Sequence, residues 1–167
     1  MKRLHIHVAV NELTASINFY SSLFNSPPSL QRVDYAKWDL HDPAVNFAIS
    51  QRGHASGINH LGIQVDSAEE LEEIAQRLDK AQISMAKQTG SSCCYAQSNK
   101  HWVQDPQGIA WESFHTMANI AVFGEDTAPE DSSSPCCIPL HNADTDDNEV
   151  PCCIPNKDNA SGCCAET

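Results

Sequence analysis

Residues 5–17 read HIHVAVNELTASI, and residues 60–74 read HLGIQVDSAEELEEI. Both stretches open on a histidine, alternate for several residues, and then change to the three-to-four-residue spacing of a helix. In the first, His5, His7 and Ala9 share one strand face, while Leu4, Ile6, Val8 and Val10 share the other. In the second, His60, Gly62 and Gln64 oppose Leu61, Ile63 and Val65. The helical parts place Leu13, Ile17, Tyr20 and Phe24 on one stripe and Leu71, Ile74, Ala75 and Leu78 on another. A further match closes each half, DPAVNFAI at 42–49 and DPQGIAWE at 105–112. The repeat predicts an α+β fold built from two βαβββ modules, about 3–52 and 58–118, inside a domain of residues 1–123. Aliphatic strand faces are expected beneath the helices, and the polar faces of both halves are expected to meet in a cup.

Charge divides the chain differently. Residues 1–123 hold 12 acidic and 9 basic residues, whereas residues 124–167 hold 10 and 1. The last 44 residues therefore carry most of the net charge of −12 and are rich in Pro, Ser, Asp and Asn, the composition of an acidic, disordered tail. This balance argues against nucleic-acid binding. The N-terminus lacks the long apolar core of a signal peptide, and no stretch of about 18 apolar residues is present to span a membrane. A cytoplasmic protein with reduced thiols is expected.

All eight cysteines occur as adjacent pairs, at 93–94, 136–137, 152–153 and 163–164. Neighbouring cysteines bridge only through a strained ring, and structural zinc sites need two to four intervening residues. Paired thiolates instead suit a soft, thiophilic centre such as cadmium or trivalent arsenic. The motif PCCIP appears twice, at 135–139 and 151–155, and its prolines block helix and keep the thiols exposed. Cys136, Cys137, Cys152, Cys153, Cys163 and Cys164 thus read as soft-metal or arsenite binders on a flexible string. Gly90-Ser91-Ser92 before the first pair predicts a mobile loop at about 87–95, which would bring Cys93 and Cys94 to one side.

A lone histidine on a strand is ordinarily a packed or surface residue. Repeat symmetry singles out His5 and His60, because equivalent residues of two modules approach a shared pseudo-twofold axis together. Glu112, beside Trp111 and on the face of Ala110 and Phe114, completes a two-histidine, one-carboxylate set; the DPAVNFAI match makes Ile49 its counterpart and leaves an apolar fourth corner. Such a set leaves coordination positions open and is associated with non-haem iron(II) and oxygen chemistry. His7 faces the same cup opposite Gly62 in the repeat and is given a supporting role at most. Among His41, His54, His101, His115 and His141, only His101 is a candidate to line the cup.

These halves resemble the vicinal oxygen chelate superfamily over about residues 3–118. Within it, TGSSCCYAQSNKHWVQDPQGIAWESF at 89–114 is similar to the carbon–arsenic lyases and the closely related cadmium-induced proteins. The resemblance implies an iron(II)-dependent dioxygenase that cleaves methylarsenite to arsenite and a one-carbon aldehyde, and acts on reduced aromatic arsenicals. It implies His5, His60 and Glu112 as ligands of Fe(2+). Cys93 and Cys94 would hold the trivalent organoarsenical, with O2 as second substrate. A non-catalytic thiolate binder of cadmium or arsenite is the alternative, followed by a glyoxalase or antibiotic-modifying enzyme. Monomer and homodimer both remain open. Removal of residues 124–167 should leave a folded protein whose thiol-bound metal or metalloid falls by about three of its four pairs; unfolding of the truncated chain, read by circular dichroism, contradicts the beads-on-a-string reading.

Overall fold

The computed structural model describes residues 2–93 and 95–119; the three tail pairs lie outside them, as does Cys94. The elements run β1 (Arg3–Ala9), α1 (Leu13–Phe24), β2 (Leu30–Gln31), β3 (Tyr35–His41), β4 (Ala44–Ser50), β5 (Gly57–Val65), α2 (Ala68–Lys80), β6 (Ala86–Cys93), β7 (Ala96–Gln104) and β8 (Ala110–Asn119). This is βαβββ twice. All strands join one sheet in the order β2-β3-β4-β1-β5-β8-β7-β6. Each module pairs its first strand parallel to its last, β1 with β4 and β5 with β8, and the two first strands meet antiparallel.

Local chemistry explains the helices. Ser67 caps α2 by accepting from the Glu70 amide, while the Glu70 carboxylate accepts from the Asp66 amide. Glu69 and Glu70 at its start and Arg77 and Lys80 at its end complement the helix dipole. Helix α1 ends on Asn25 in the left-handed conformation, whose amide returns to Ser21 and Ser22 carbonyls. Leu13, Ile17, Tyr20 and Phe24 of α1 pack on Ala36, Trp38, Phe47 and Ile49 of the sheet. Leu71 and Ile74 of α2 pack on Val65 of β5, with Ile63 and Leu78 against them. The opposite sheet face buries His5, His7, Asn46, His60, Lys100 and Glu112.

Two ends of the sheet also meet across the cup. The Tyr95 hydroxyl donates to Asp34 Oδ1 at 2.6 Å, and its ring lies 5.7 Å from that of Tyr35. Asp34 also pairs with Arg52, and the Arg32 guanidinium sits 5.3 Å from the Tyr95 ring. The second module is thereby fastened to the first at the rim, 61 residues away in sequence.

Three expectations need correction. Residues 87–93 are strand rather than loop: β6 continues to Cys93, which pairs with Ala96, and Gly90, at φ +65, is absorbed in a register shift between Gln88 and Ser91. Ile49 is not the counterpart of Glu112. His7 pairs with Ala48 in the first module as Gly62 pairs with Glu112 in the second, so Ala48 occupies that corner and Ile49 points into the core under α1. The Asp-Pro match misleads because the hairpins differ: His41 pairs with Ala44 across a two-residue turn, while Gln104 pairs with Ala110 across a longer loop. His101 lies on the helix side of β7, where Lys87, Glu72 and Asp79 influence it, and does not line the cup.

Gly62 marks the tightest approach at the site. A Cβ there would stand 2.4 Å from the Glu112 carbonyl oxygen and 2.9 Å from its Cγ, so β5 and β8 would have to part. Gly62→Ala should destabilise the protein by about 1–3 kcal/mol and weaken metal binding at Glu112. Urea unfolding checks the first outcome and metal titration the second.

Candidate metal centre

His5 on β1 and His60 on β5 are held from behind. The His5 Nδ1–H donates to the Asn46 carbonyl at 3.0 Å, and the His60 Nδ1–H donates to Asn59 Oδ1 at 2.8 Å. Each ring therefore presents a bare Nε2 to the cup. Those two nitrogens are 3.2 Å apart, and Glu112 Oε1 lies 3.3 Å from the first and 3.4 Å from the second. Three lone-pair donors converge with no hydrogen to share among them. A cation satisfies that arrangement. Ligands bound at about 2.1 Å with near-right-angled geometry sit roughly 3.0–3.4 Å from one another, so the triangle matches a divalent metal.

Burial sets the protonation. It pushes His5 down from 6.5 to about 4, with His60 and Lys100 acting the same way and Glu112 against them. His7 is lowered well below its ordinary value, again chiefly by burial. Burial alone would raise the Glu112 carboxyl, but Lys100, His60 and His5 together hold it well below the usual carboxylate range. Burial thus leaves His5 a neutral imidazole, and its neighbours keep Glu112 a carboxylate, both competent ligands.

Lys100 was not singled out from the sequence. Its side chain is buried on β7, its Nζ donates to Glu112 Oε2 at 3.0 Å, and it lies 5.7 Å from the Trp102 ring and 5.8 Å from that of Phe114. With one oxygen held by the ammonium, Glu112 offers the other to the histidines. Period-two alternation does place Lys100 on one face with Ser98 and Trp102, but an isolated lysine on a strand reads as solvated until its partner is known. His7 is the second surprise. It brings a ring nitrogen within 4.8 Å of those of His5 and His60, closer than a supporting role implies. The site opens into a cleft of about 410 Å³, counting its mouth, lined among others by His7, Tyr35, Lys37, Lys100 and Phe114. Cys93 ends β6 on the same hairpin as Tyr95, whose ring packs on the cup residue Tyr35.

The sheet order and the buried histidine–carboxylate centre define a class. The chain belongs to the Glyoxalase/Bleomycin resistance protein/Dioxygenase superfamily, whose family model matches residues 2–113. It is 36% identical over 170 residues, 99% of this chain and 100% of the relative, to a trivalent organoarsenical cleaving enzyme of Bacillus sp. (strain MD1). It is also 33% identical to the cadmium-induced protein CadI of Mycobacterium tuberculosis (strain ATCC 25618 / H37Rv), over 82% of this chain and 93% of the relative. Among solved structures, an extradiol ring-cleaving dioxygenase from B. fuscum shares the fold at a TM-score of 0.54 and 15% identity, covering 71% of this chain and 33% of that one. The Mn(II)-bound glyoxalase from Novosphingobium aromaticivorans does so at 0.52 and 15%, covering 77% and 44%. Among the described residues no helix is long and apolar enough to cross a membrane.

The lowered histidines give stability a definite pH slope. An unfolded His5 takes up a proton as pH falls through 6.5, whereas the folded one does not until about 4. Stability is therefore full above pH 6.5 and is lost as pH falls between these values, by about 1.4 kcal/mol per pH unit for such a group, with His7 adding in the same sense. Urea midpoints of metal-stripped protein should drop between pH 7 and pH 5. The slope should be shallower in His5→Phe, and a midpoint that rises on acidification contradicts the assignment.

Proposed function

We propose that this chain is a ferrous-iron-dependent dioxygenase that cleaves the carbon–arsenic bond of trivalent organoarsenicals, converting methylarsenite to arsenite. The observation that carries the reading is the triangle of His5 Nε2, His60 Nε2 and Glu112 Oε1, with edges of 3.2–3.4 Å. Similarity over nearly the whole chain to a protein named as a trivalent organoarsenical cleaving enzyme supplies the substrate class.

In this reading His5, His60 and Glu112 hold the metal, and Ala48 leaves the fourth corner without a donor. Ferrous iron, when bound, supplies the capacity to react with dioxygen. The protein's own part is placement. Asn46 and Asn59 orient the two imidazoles, and Lys100 fixes which carboxylate oxygen Glu112 presents. Cys93 and Cys94 capture the arsenic as thiolates. Tyr95, fastened to Asp34, holds their hairpin against the first module. Phe114, edge-on to His5 at 5.2 Å, and Tyr35 give an otherwise polar cleft two aromatic walls. Capture next to the reacting centre turns an encounter into a positional problem, which is worth several kcal/mol in favourable cases. The six tail cysteines scavenge arsenite or other soft metals, and the protein works in the cytoplasm.

A second reading, a non-catalytic thiolate binder, is favoured by the similarity to the cadmium-induced proteins. One experiment separates the two. Methylarsenite incubated with the protein in air should release arsenite only when ferrous ion is present, and not under nitrogen. Cys93→Ser should keep iron but lose arsenical capture. Glu112→Ala should lose iron and still bind the arsenical. Iron-independent release, or binding with no release at all, rejects the enzyme.

A further inference from the structure

We propose that His5, His7 and His60 form a second ligand set at this centre, three nitrogens that take zinc or another late divalent metal and, in doing so, occupy the side from which substrate must reach iron. All three histidines are buried, and each brings a ring nitrogen within 4.8 Å of the others. A tetrahedral zinc ion needs its nitrogens about 3.3 Å apart, a distance His5 and His60 already meet at 3.2 Å. His7 stands edge-to-face on His60 with centroids 4.7 Å apart, and closing the 4.8 Å spread of the three ring nitrogens to that distance is the movement zinc would have to induce.

The supporting shell is complete for all three rings. One nitrogen of each is engaged by an oxygen: the Asn46 carbonyl for His5, Ser50 Oγ at 2.9 Å for His7, and Asn59 Oδ1 for His60. A ligating imidazole ordinarily has this kind of partner behind it, leaving the remaining nitrogen for the metal. His7 achieves it without symmetry, since its counterpart in the repeat is Gly62.

Two donors thus compete to complete the pair His5–His60. Glu112 is a hard oxygen, and the Lys100 ammonium already draws on its other oxygen. His7 is an imidazole whose Nε2 meets the Ser50 hydroxyl. Imidazole suits zinc, copper, iron and nickel and a carboxylate the harder end of the divalent series, so the later, softer metals gain most from taking His7 in place of Glu112. Iron is expected to select Glu112 and zinc to select His7. Because His7 lines the cleft, a zinc ion ligated by it fills the open side of the centre, which makes zinc an inhibitor rather than a substitute. This last consequence rests on the iron-dependent reading above; the ligand set itself does not.

The test uses the full chain labelled with ¹⁵N-histidine and stripped of metal, with zinc added beyond the capacity of the eight cysteines. Long-range ¹H–¹⁵N spectra report each ring nitrogen separately. Three histidines, assigned as His5, His7 and His60, should shift together on zinc. A shift of His5 and His60 alone overturns the proposal, and so does no shift at all. This wild-type readout decides even where a variant fails to fold. Glu112→Gln should keep zinc within about tenfold while losing iron, and His7→Gln should lose at least about tenfold in zinc affinity at this centre. In arsenite release, the zinc concentration that halves ferrous-dependent turnover should rise at least about tenfold in His7→Gln. If the protein shows no such turnover, the functional reading fails while the spectra still decide the ligand set.

Discussion

β1 and β5 run antiparallel side by side, His5 opposite Gly62 and His7 opposite His60. Every other feature of the centre depends on that pairing. It relates the two modules by a near-twofold axis and brings histidines 55 residues apart to within 3.2 Å. It also lets the parallel partner of each strand, β4 or β8, deliver one more side chain to the axis. A register slip of one residue would turn every one of these groups toward the helices. The aliphatic faces prevent the slip, because Ile6, Val8 and Ile63 are committed to the cores under α1 and α2.

Placing this many polar groups in a buried cup is costly unless each is answered. Asn46 illustrates how they are. Its carbonyl accepts from His5, and its side-chain amide donates to Gln64 on the neighbouring module at 2.9 Å. Lys100 answers Glu112, Asn59 answers His60, and Ser50 answers His7. Among the described residues of the cup, His5, His60 and Glu112 instead meet one another directly. If that meeting holds the proposed metal, stability and metal loading are expected to be linked.

The modules, both helices and the polar cup could be read from residues 5–17 and 60–74, because periodicity changes sharply from two to near four and recurs. The histidine pair was legible for the same reason. Other features were hidden for identifiable causes. The Asp-Pro match points to Ile49 rather than Ala48 because it opens a two-residue turn in one hairpin and a longer loop in the other, so the matched residues differ in register by one. Glycine and serine near residue 90 suggested a loop, yet a register shift absorbs them within a strand. Lys100 and Tyr95 matter through partners 12 and 61 residues away, and no local pattern announces a partner at such distances. His7 was undervalued because its counterpart in the repeat is Gly62; symmetry finds what the halves share and overlooks what one half has added.

The mismatch of Ala48 with Glu112, and of His7 with Gly62, has a further meaning. Two identical half-length chains related by a true dyad would be obliged to present every group twice. A chain that carries both halves in one covalent string escapes that obligation, so each copy can drift on its own. One half carries an acid and a glycine where the other carries an alanine and a histidine. Lopsidedness is what gives the centre a front and a back, and only a centre with a front can admit a visitor from one direction.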